Sequence, residues 1–76
     1  MKKINIHHGM NTRPALKAAL MLGCRVTPVR GTPDLRLEHR LLERTVRFDA
    51  TRKDCPRAVT EFLFEILRTV ELLQAA

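Results

Sequence analysis

The chain has 76 residues, of which 45% are hydrophobic, three are Phe and none is Trp or Tyr. This length predicts one small domain near the lower limit for a single hydrophobic core. The scarcity of aromatic side chains disfavours proteins that bind single strands by stacking bases on aromatic rings. The formal net charge of +6 comes from fourteen Lys and Arg against eight Asp and Glu. Ten of these cations are Arg, whose fork of donors favours binding to a polyanion.

The cysteines and histidines exclude some kinds of site. Cys24 and Cys55 form no Cys-x-x-Cys pair and are too few for a disulfide framework, so we expect a reducing, cytoplasmic setting. His7 and His8 are adjacent and only His39 could join them, which predicts no metal site. We also expect no cofactor and no small-molecule substrate. Because no apolar run is long enough for a signal peptide or a membrane span, we expect no membrane association either.

Two segments precede the predicted sheet. Residues 1–11 are polar and without a period, which predicts a flexible basic N-terminal arm and leaves residues 12–76 as one domain. Thr12 is then predicted to cap a helix of about ten residues, with Pro14 in its first turn and Gly23 as its C-terminal cap.

The hydrophobic period changes to two from Cys24 to Ala50, which predicts three short antiparallel strands. The first turn is predicted in RGTPD and the second within RLLER, and Pro28 predicts an edge or a bulge in the first strand. On the outward side we expect cross-strand ion pairs, with an extended phosphate-binding surface or contact with an acidic protein as alternatives. The predicted outward residues are Arg25, Arg36, Glu38, Arg40, Arg47 and Asp49, and the inward ones are Cys24, Val26, Leu35, Leu37, His39, Val46 and Phe48.

The last segment predicts a long amphipathic helix. Asp54 is its predicted N-cap and Pro56 is expected in its first turn. Phe64 and Leu72 lie well off the apolar stripe of this helix. The predicted fold is therefore α+β, an α-β-β-β-α chain whose three-stranded antiparallel sheet has both helices packed on one face. The predicted stripe consists of Val59, Phe62, Leu63, Ile66, Val70 and Leu73.

This order of elements, over about residues 12–70, resembles the double-stranded RNA-binding domain. That family opens its last helix with a Lys-Lys-x-Ala-Lys cluster, and RKDCPR stands at the equivalent place here, with Arg52, Lys53 and Arg57 near the three basic positions. The resemblance implies phosphate contacts across a duplex groove. The family's Gly-Pro-x-His turn between the first two strands is replaced by RGTPD, which has no His.

The layout also resembles the HicA-type toxins, which are small ribonucleases of toxin–antitoxin systems. Their catalytic His lies in a turn at the start of the second strand, where this chain has Pro33 and Asp34. Because Pro cannot exchange a proton, the resemblance supports the fold and argues against nuclease chemistry.

Five cations are the candidate nucleic-acid-binding residues: Arg52, Lys53 and Arg57 before and within the last helix, with Arg47 and Arg36 on the sheet. The opposing interpretation is a solvated basic loop whose helix is capped by Asp54 alone. We expect a small duplex-binding protein without catalytic residues.

Two further hypotheses remain open from the sequence. One is an interaction module that forms a homodimer, or binds an acidic protein, through surplus apolar residues such as Phe64 and Leu72. The other is a ribonuclease that uses His39. Cys55, beside Arg52 and Arg57 near a predicted helix start, is interpreted either as a thiol of lowered pKa or as a packing residue.

Overall fold

The computed structural model describes residues 4–75 and confirms the predicted α-β-β-β-α order. The three strands form one antiparallel sheet in the order β1-β2-β3. The first helix contacts β1, the second contacts β3, and the helices contact each other. The elements are α1 (Thr12–Met21), β1 (Arg25–Pro28), β2 (Asp34–Glu38), β3 (Val46–Asp49) and α2 (Arg57–Ala75).

Strand register separates the two faces of the sheet as the period of two predicts. Leu37 pairs with Val26 on one side and Val46 on the other, so apolar side chains line up on the face that the helices cover. Pro28 lies at the end of β1, which is an edge strand as predicted. The buried core consists of Met10, Ala15, Ala19, Cys24, Leu37, Val46, Phe48, Cys55, Val59, Phe62, Leu63 and Ile66.

Helix α1 ends in the glycine cap that the sequence predicts. Gly23 has φ +89°, and its N–H donates to Leu20 O at 3.1 Å while the N–H of Cys24 donates to Ala19 O at 2.9 Å. These two bonds form a Schellman motif, which satisfies carbonyls that the helix end would otherwise leave unpaired.

The predicted cap at the start of α1 is wrong. The N-cap residue is Asn11, whose side chain makes no capping hydrogen bond, and Thr12 is the first helical residue. The reason is tertiary: the N–H of Thr12 donates to Lys53 O at 2.9 Å, which holds Thr12 one position further into the helix.

The turns lie where they are predicted. Between β1 and β2, Gly31 has φ +80° and the Thr32 hydroxyl donates to Val29 O at 2.8 Å. The second turn contains Leu41 and Leu42, which are unusual turn residues. The Leu41 N–H donates to His39 Nδ1 at 3.1 Å and Leu42 packs against the core, so tertiary contacts hold this turn.

Three predictions for α2 are corrected. Asp54 is not its N-cap, because it lies before the helix and forms an antiparallel bridge with Asn11; Pro56, predicted inside the first turn, immediately precedes the first helical residue. Leu73 is 60% exposed although it belongs to the predicted apolar stripe. Burial falls off along the helix, from Ile66 at 0% exposure through the partly buried Val70, because the last turns extend beyond the core.

Residues 4–11, the described part of the predicted N-terminal arm, pack against the domain. Met10 is 5% exposed and Ile6 packs against the core. The imidazole Nδ1 of His8 forms a hydrogen bond of 2.7 Å with the Thr60 hydroxyl. The flexibility of residues 1–11 stays a prediction, and residues 1–3 lie outside the described part of the chain.

The exposure of Leu73 can be tested against a buried leucine of the same helix. We expect Leu63→Ala to lower the free energy of unfolding by about 2–5 kcal/mol, because Leu63 is fully buried. Leu73→Ala should change it by no more than about 0.5 kcal/mol. Urea unfolding followed by circular dichroism measures both, and equal losses would contradict the position of Leu73.

Candidate nucleic-acid interface

A short backbone pairing joins the starts of the two helices. The N–H of Thr12 donates to Lys53 O and the N–H of Cys55 donates to Met10 O, both at 2.9 Å, on either side of the Asn11–Asp54 bridge. The segment before α2 therefore lies beside the start of α1. This pairing fixes the backbone of the predicted RKDCPR cluster.

Arg52 and Lys53 are consequently placed at α1. Both side chains are exposed, and together with Arg13 they line a groove of about 370 Å³. The other residues lining it are Asn11, Thr12, Leu16 and Ala50. The sequence placed these two cations at the start of α2, whereas the structure brings them to the start of α1, where Arg13 adds a third cation.

Arg57 is the first residue of α2 and is separately engaged. Its Nε donates to Glu61 Oε1 at 3.0 Å across one helical turn, and the two side chains are 76% and 54% exposed. An exposed pair of this kind contributes only about 0–1 kcal/mol. Arg57 is therefore accessible to a ligand, although a phosphate would have to compete with Glu61.

Arg36 and Arg47 lie on the sheet face opposite the helices. They face each other across β2 and β3, and Asp34 faces Asp49 in the same way. The expected cross-strand ion pairing is present, but it joins Arg47 of β3 to Asp34 of β2 on a diagonal, whereas Arg25 and Glu38 face each other and form no ion pair within residues 4–75. Like charges directly opposite are unfavourable, and a diagonal bond from Arg47 Nε to Asp34 Oδ2 at 2.6 Å offsets part of this repulsion.

Arg36 has no such partner within residues 4–75, where the ion pairs join Arg44 to Glu65, Arg47 to Asp34 and Arg57 to Glu61. Since Arg36 is also exposed, its guanidinium is more available to a ligand than that of Arg47, which is paired with Asp34. The five predicted residues thus fall on two surfaces: the end where both helices begin and the outer face of the sheet.

The carboxylate of Asp49 lies close enough to Arg52 to interact with its charge. The hydroxyl and the N–H of Thr51 donate to Asp49 Oδ1 at 2.6 and 2.9 Å. These bonds, with a smaller contribution from Arg52, hold the pKa of Asp49 below its usual value, against the opposing effect of desolvation. Asp49 is therefore charged at neutral pH and offsets part of the positive potential of Arg52.

Both ring nitrogens of His39 are used inside the protein. Nε2 bonds Leu22 O at 2.9 Å, and Nδ1 accepts the N–H of Leu41 at 3.1 Å. A carbonyl partner requires the proton on Nε2, and an N–H partner requires a lone pair on Nδ1. His39 is 8% exposed, so it anchors the end of α1 to the second turn.

His8 has a defined position that sequence analysis missed. Thr60 donates its hydroxyl to Arg57 O at 2.9 Å, so His8 Nδ1 must donate to the Thr60 oxygen. The imidazole also meets the Phe64 ring edge-on at a centroid distance of 5.3 Å. No local pattern predicts a contact between residues 52 positions apart, and this contact leaves Phe64 half-buried.

The predicted interface residues differ in exposure. Leu72 is 67% exposed, whereas Phe64 is partly covered by His8. Leu20, Met21 and Leu73 are the other exposed large hydrophobic residues of the described chain.

Comparison with protein-family models, with curated proteins and with solved structures finds no match. Within residues 4–75, no helix has both the length and the apolar character needed to cross a membrane. The same residues contain no group of three or more His, Cys, Asp and Glu side chains able to hold a metal ion.

The two thiols can be tested by alkylation. Burial raises the pKa of Cys24 from 9.0 to about 11, and burial also raises that of Cys55 against the smaller effect of Arg52, so the interpretation of Cys55 as an activated thiol is wrong. Because the thiolate is the reactive form, we expect both to react much more slowly with iodoacetamide in the folded protein than in urea. Mass spectrometry measures this, and fast native labelling of Cys55 would contradict its burial.

Proposed function

We propose that this protein binds duplex nucleic acid through phosphate contacts. The observation that carries the proposal is the arrangement of Arg52 and Lys53 with Arg13 around one groove, in a chain of net charge +6. Arg and Lys side chains supply the phosphate contacts that position most nucleic-acid-binding proteins. Within residues 4–75, neither Arg52 nor Lys53 forms an ion pair.

The α-β-β-β-α order of elements favours a duplex as the ligand over a single strand. An α-β-β-β-α chain with cations before its last helix resembles the double-stranded RNA-binding domain, whose members bind largely by shape and backbone contacts. Arg57 and the outer-face residues Arg36 and Arg47 would extend the contacts, with Arg36 the more available of the last two because Arg47 is bonded to Asp34. Binding of this kind has little base specificity.

The bonding of His39 favours binding without catalysis. His39 is bonded to backbone groups through both nitrogens, which leaves it no lone pair or proton for a substrate. At the place of the HicA catalytic turn, Asp34 is bonded to Arg47. We therefore propose a non-enzymatic role, and the free thiols of Cys24 and Cys55 favour a reducing, cytoplasmic setting for it.

The proposal is tested by the salt dependence of duplex binding. We expect affinity for a duplex of about 20 base pairs to fall steeply from about 50 to about 300 mM salt, measured by fluorescence anisotropy on RNA and DNA. Arg52→Gln/Lys53→Gln should reduce the slope of log K against log salt by about 2, one per lost phosphate contact.

Arg40→Gln/Arg68→Gln is the matched control, because it removes the same charge from residues outside the groove. Equal losses in the two double variants would reduce the effect to net charge, and absence of duplex binding at low salt would refute the function. Arg36→Gln, measured alongside, reports whether the outer sheet face takes part.

A homodimer is the second candidate, favoured by the exposed leucines at the end of α2. Leu72 and Leu73 are 67% and 60% exposed on adjacent positions, beyond the part of the helix that the core covers. Two exposed leucines in a small domain add apolar surface that a second copy could bury.

Solution mass tests this second candidate. If α2 dimerises through its end, light scattering should give the mass of two chains, and Leu72→Ser/Leu73→Ser should restore that of one. Leu20→Ser/Met21→Ser is the control for general loss of exposed apolar surface. A single-chain mass at high protein concentration would dismiss the dimer without affecting the nucleic-acid proposal.

A further inference from the structure

The outer edge of β3 carries backbone groups that point away from the sheet. The N–H of Ala50 donates to Pro33 O at 3.2 Å, and this bond continues the register of β2 with β3. Because hydrogen-bonded and non-hydrogen-bonded pairs alternate along antiparallel strands, the N–H and C=O groups of Arg47 and Asp49 point away from β2. Within residues 4–75, the one turn or loop bond to these groups is long, from the N–H of Arg52 to Asp49 O at 3.4 Å.

The opposite edge of the sheet, at β1, is protected against a further strand. The N–H of Val29 donates to Asp34 O at 3.0 Å, so by the same alternation the backbone groups of Val26 and Pro28 point away from β2. Pro28 has no N–H, and a proline in an edge strand is one of the devices that prevent pairing with another chain. β3 contains no proline, so its edge is the more open of the two.

The charged side chains next to the β3 edge form like pairs. On the outer face of the sheet, Arg36 faces Arg47 and Asp34 faces Asp49. The bond from Arg47 to Asp34 uses Nε, and Arg36 forms no ion pair within residues 4–75. Both bonds from Thr51 reach Oδ1 of Asp49. The terminal guanidinium nitrogens of Arg47 and Oδ2 of Asp49 are therefore available to another chain.

We propose that a second copy of this chain adds its own β3 to this edge, antiparallel and centred on Phe48, so that the two sheets become continuous. In this register Arg47 faces Asp49 of the second copy, and the two residues exchange both of their backbone hydrogen bonds. Each row of the outer face then reads Asp34 and Asp49 of one copy, followed by Arg47 and Arg36 of the other. The like pairs within each copy thus become complementary between copies.

Charge selects this register over the neighbouring one. Centring the pair on Arg47 would also match the backbone groups, but it would place Arg47 opposite Arg47 of the second copy. Opposite charges that face each other across antiparallel strands are stabilising, and like charges are destabilising. The symmetry of the dimer repeats the favourable contact of Arg47 with Asp49 twice. This surface differs from the leucines at the end of α2, and it does not depend on nucleic-acid binding.

Charge-reversal variants of the full chain test the register. Arg47→Asp puts carboxylates opposite each other in both rows, and Asp49→Arg does the same with guanidinium groups. Each variant alone should weaken self-association at least about tenfold in analytical ultracentrifugation. An equimolar mixture of the two should form a heterodimer with the mass of two chains, because each row again joins a cation to an anion. The double variant Arg47→Asp/Asp49→Arg should associate like the unaltered chain.

Two control variants separate the β3 edge from other causes of association. Arg40→Asp makes the same change of charge outside the strands and should keep the mass of two chains. Leu72→Ser/Leu73→Ser should keep it too. A single-chain mass in that leucine variant, with a two-chain mass in Arg47→Asp, would assign the dimer to α2 and overturn the proposal. A single-chain mass for the unaltered protein, or no heterodimer in the mixture, would also overturn it.

Amide hydrogen exchange, measured by NMR, reports on the backbone bonds themselves. The N–H groups of Arg47 and Asp49 point away from the sheet in one copy and are hydrogen-bonded in the dimer, so their protection should rise with protein concentration. The N–H of Phe48 points toward Leu35 of β2 in either state and should change little. Unchanged exchange at Arg47 and Asp49 while the mass rises to two chains would overturn pairing through this edge.

Discussion

The backbone pairing between residues 10–12 and 53–55 is the constraint on which the rest of the molecule depends. Two hydrogen bonds of 2.9 Å, from Thr12 to Lys53 and from Cys55 to Met10, hold the starts of both helices side by side. Met10 and Cys55 are buried as a result. Asp54 is used in this pairing, which is why it does not cap α2.

The same pairing decides where the positive charge lies. Arg52 and Lys53 precede α2 in sequence, but their backbone is pinned to the start of α1, so their side chains share a groove with Arg13. A helix start without a capping side chain and without an acid in its first turn is costly to surround with cations. A phosphate of the duplex that we propose as the ligand would remove that cost.

The opposite end of α1 is fixed by different means. The Schellman motif around Gly23 ends the helix, and His39 Nε2 bonds the carbonyl of Leu22, so the second turn of the sheet is tied to this end. The imidazole of His39 therefore has a structural role. The groove lined by Arg13, Arg52 and Lys53 lies at the start of α1, and His39 lies at its end. The candidate binding surface is thus separate from the histidine that the ribonuclease hypothesis would need.

Sequence alone determined the features that depend on local pattern. The period of two between Cys24 and Ala50, the glycines of the cap and the first turn, and the stripe from Val59 to Ile66 predicted the fold, because backbone geometry and burial act over a few neighbouring residues. Tertiary structure alone decided the rest. It moved the first cap to Asn11, exposed Leu73, placed His8 on Thr60, and brought Arg52 and Lys53 to Arg13. Each of these outcomes depends on packing or hydrogen bonding between segments far apart in the chain, or on the limited extent of the core. The pattern of neighbouring residues in the sequence predicts neither.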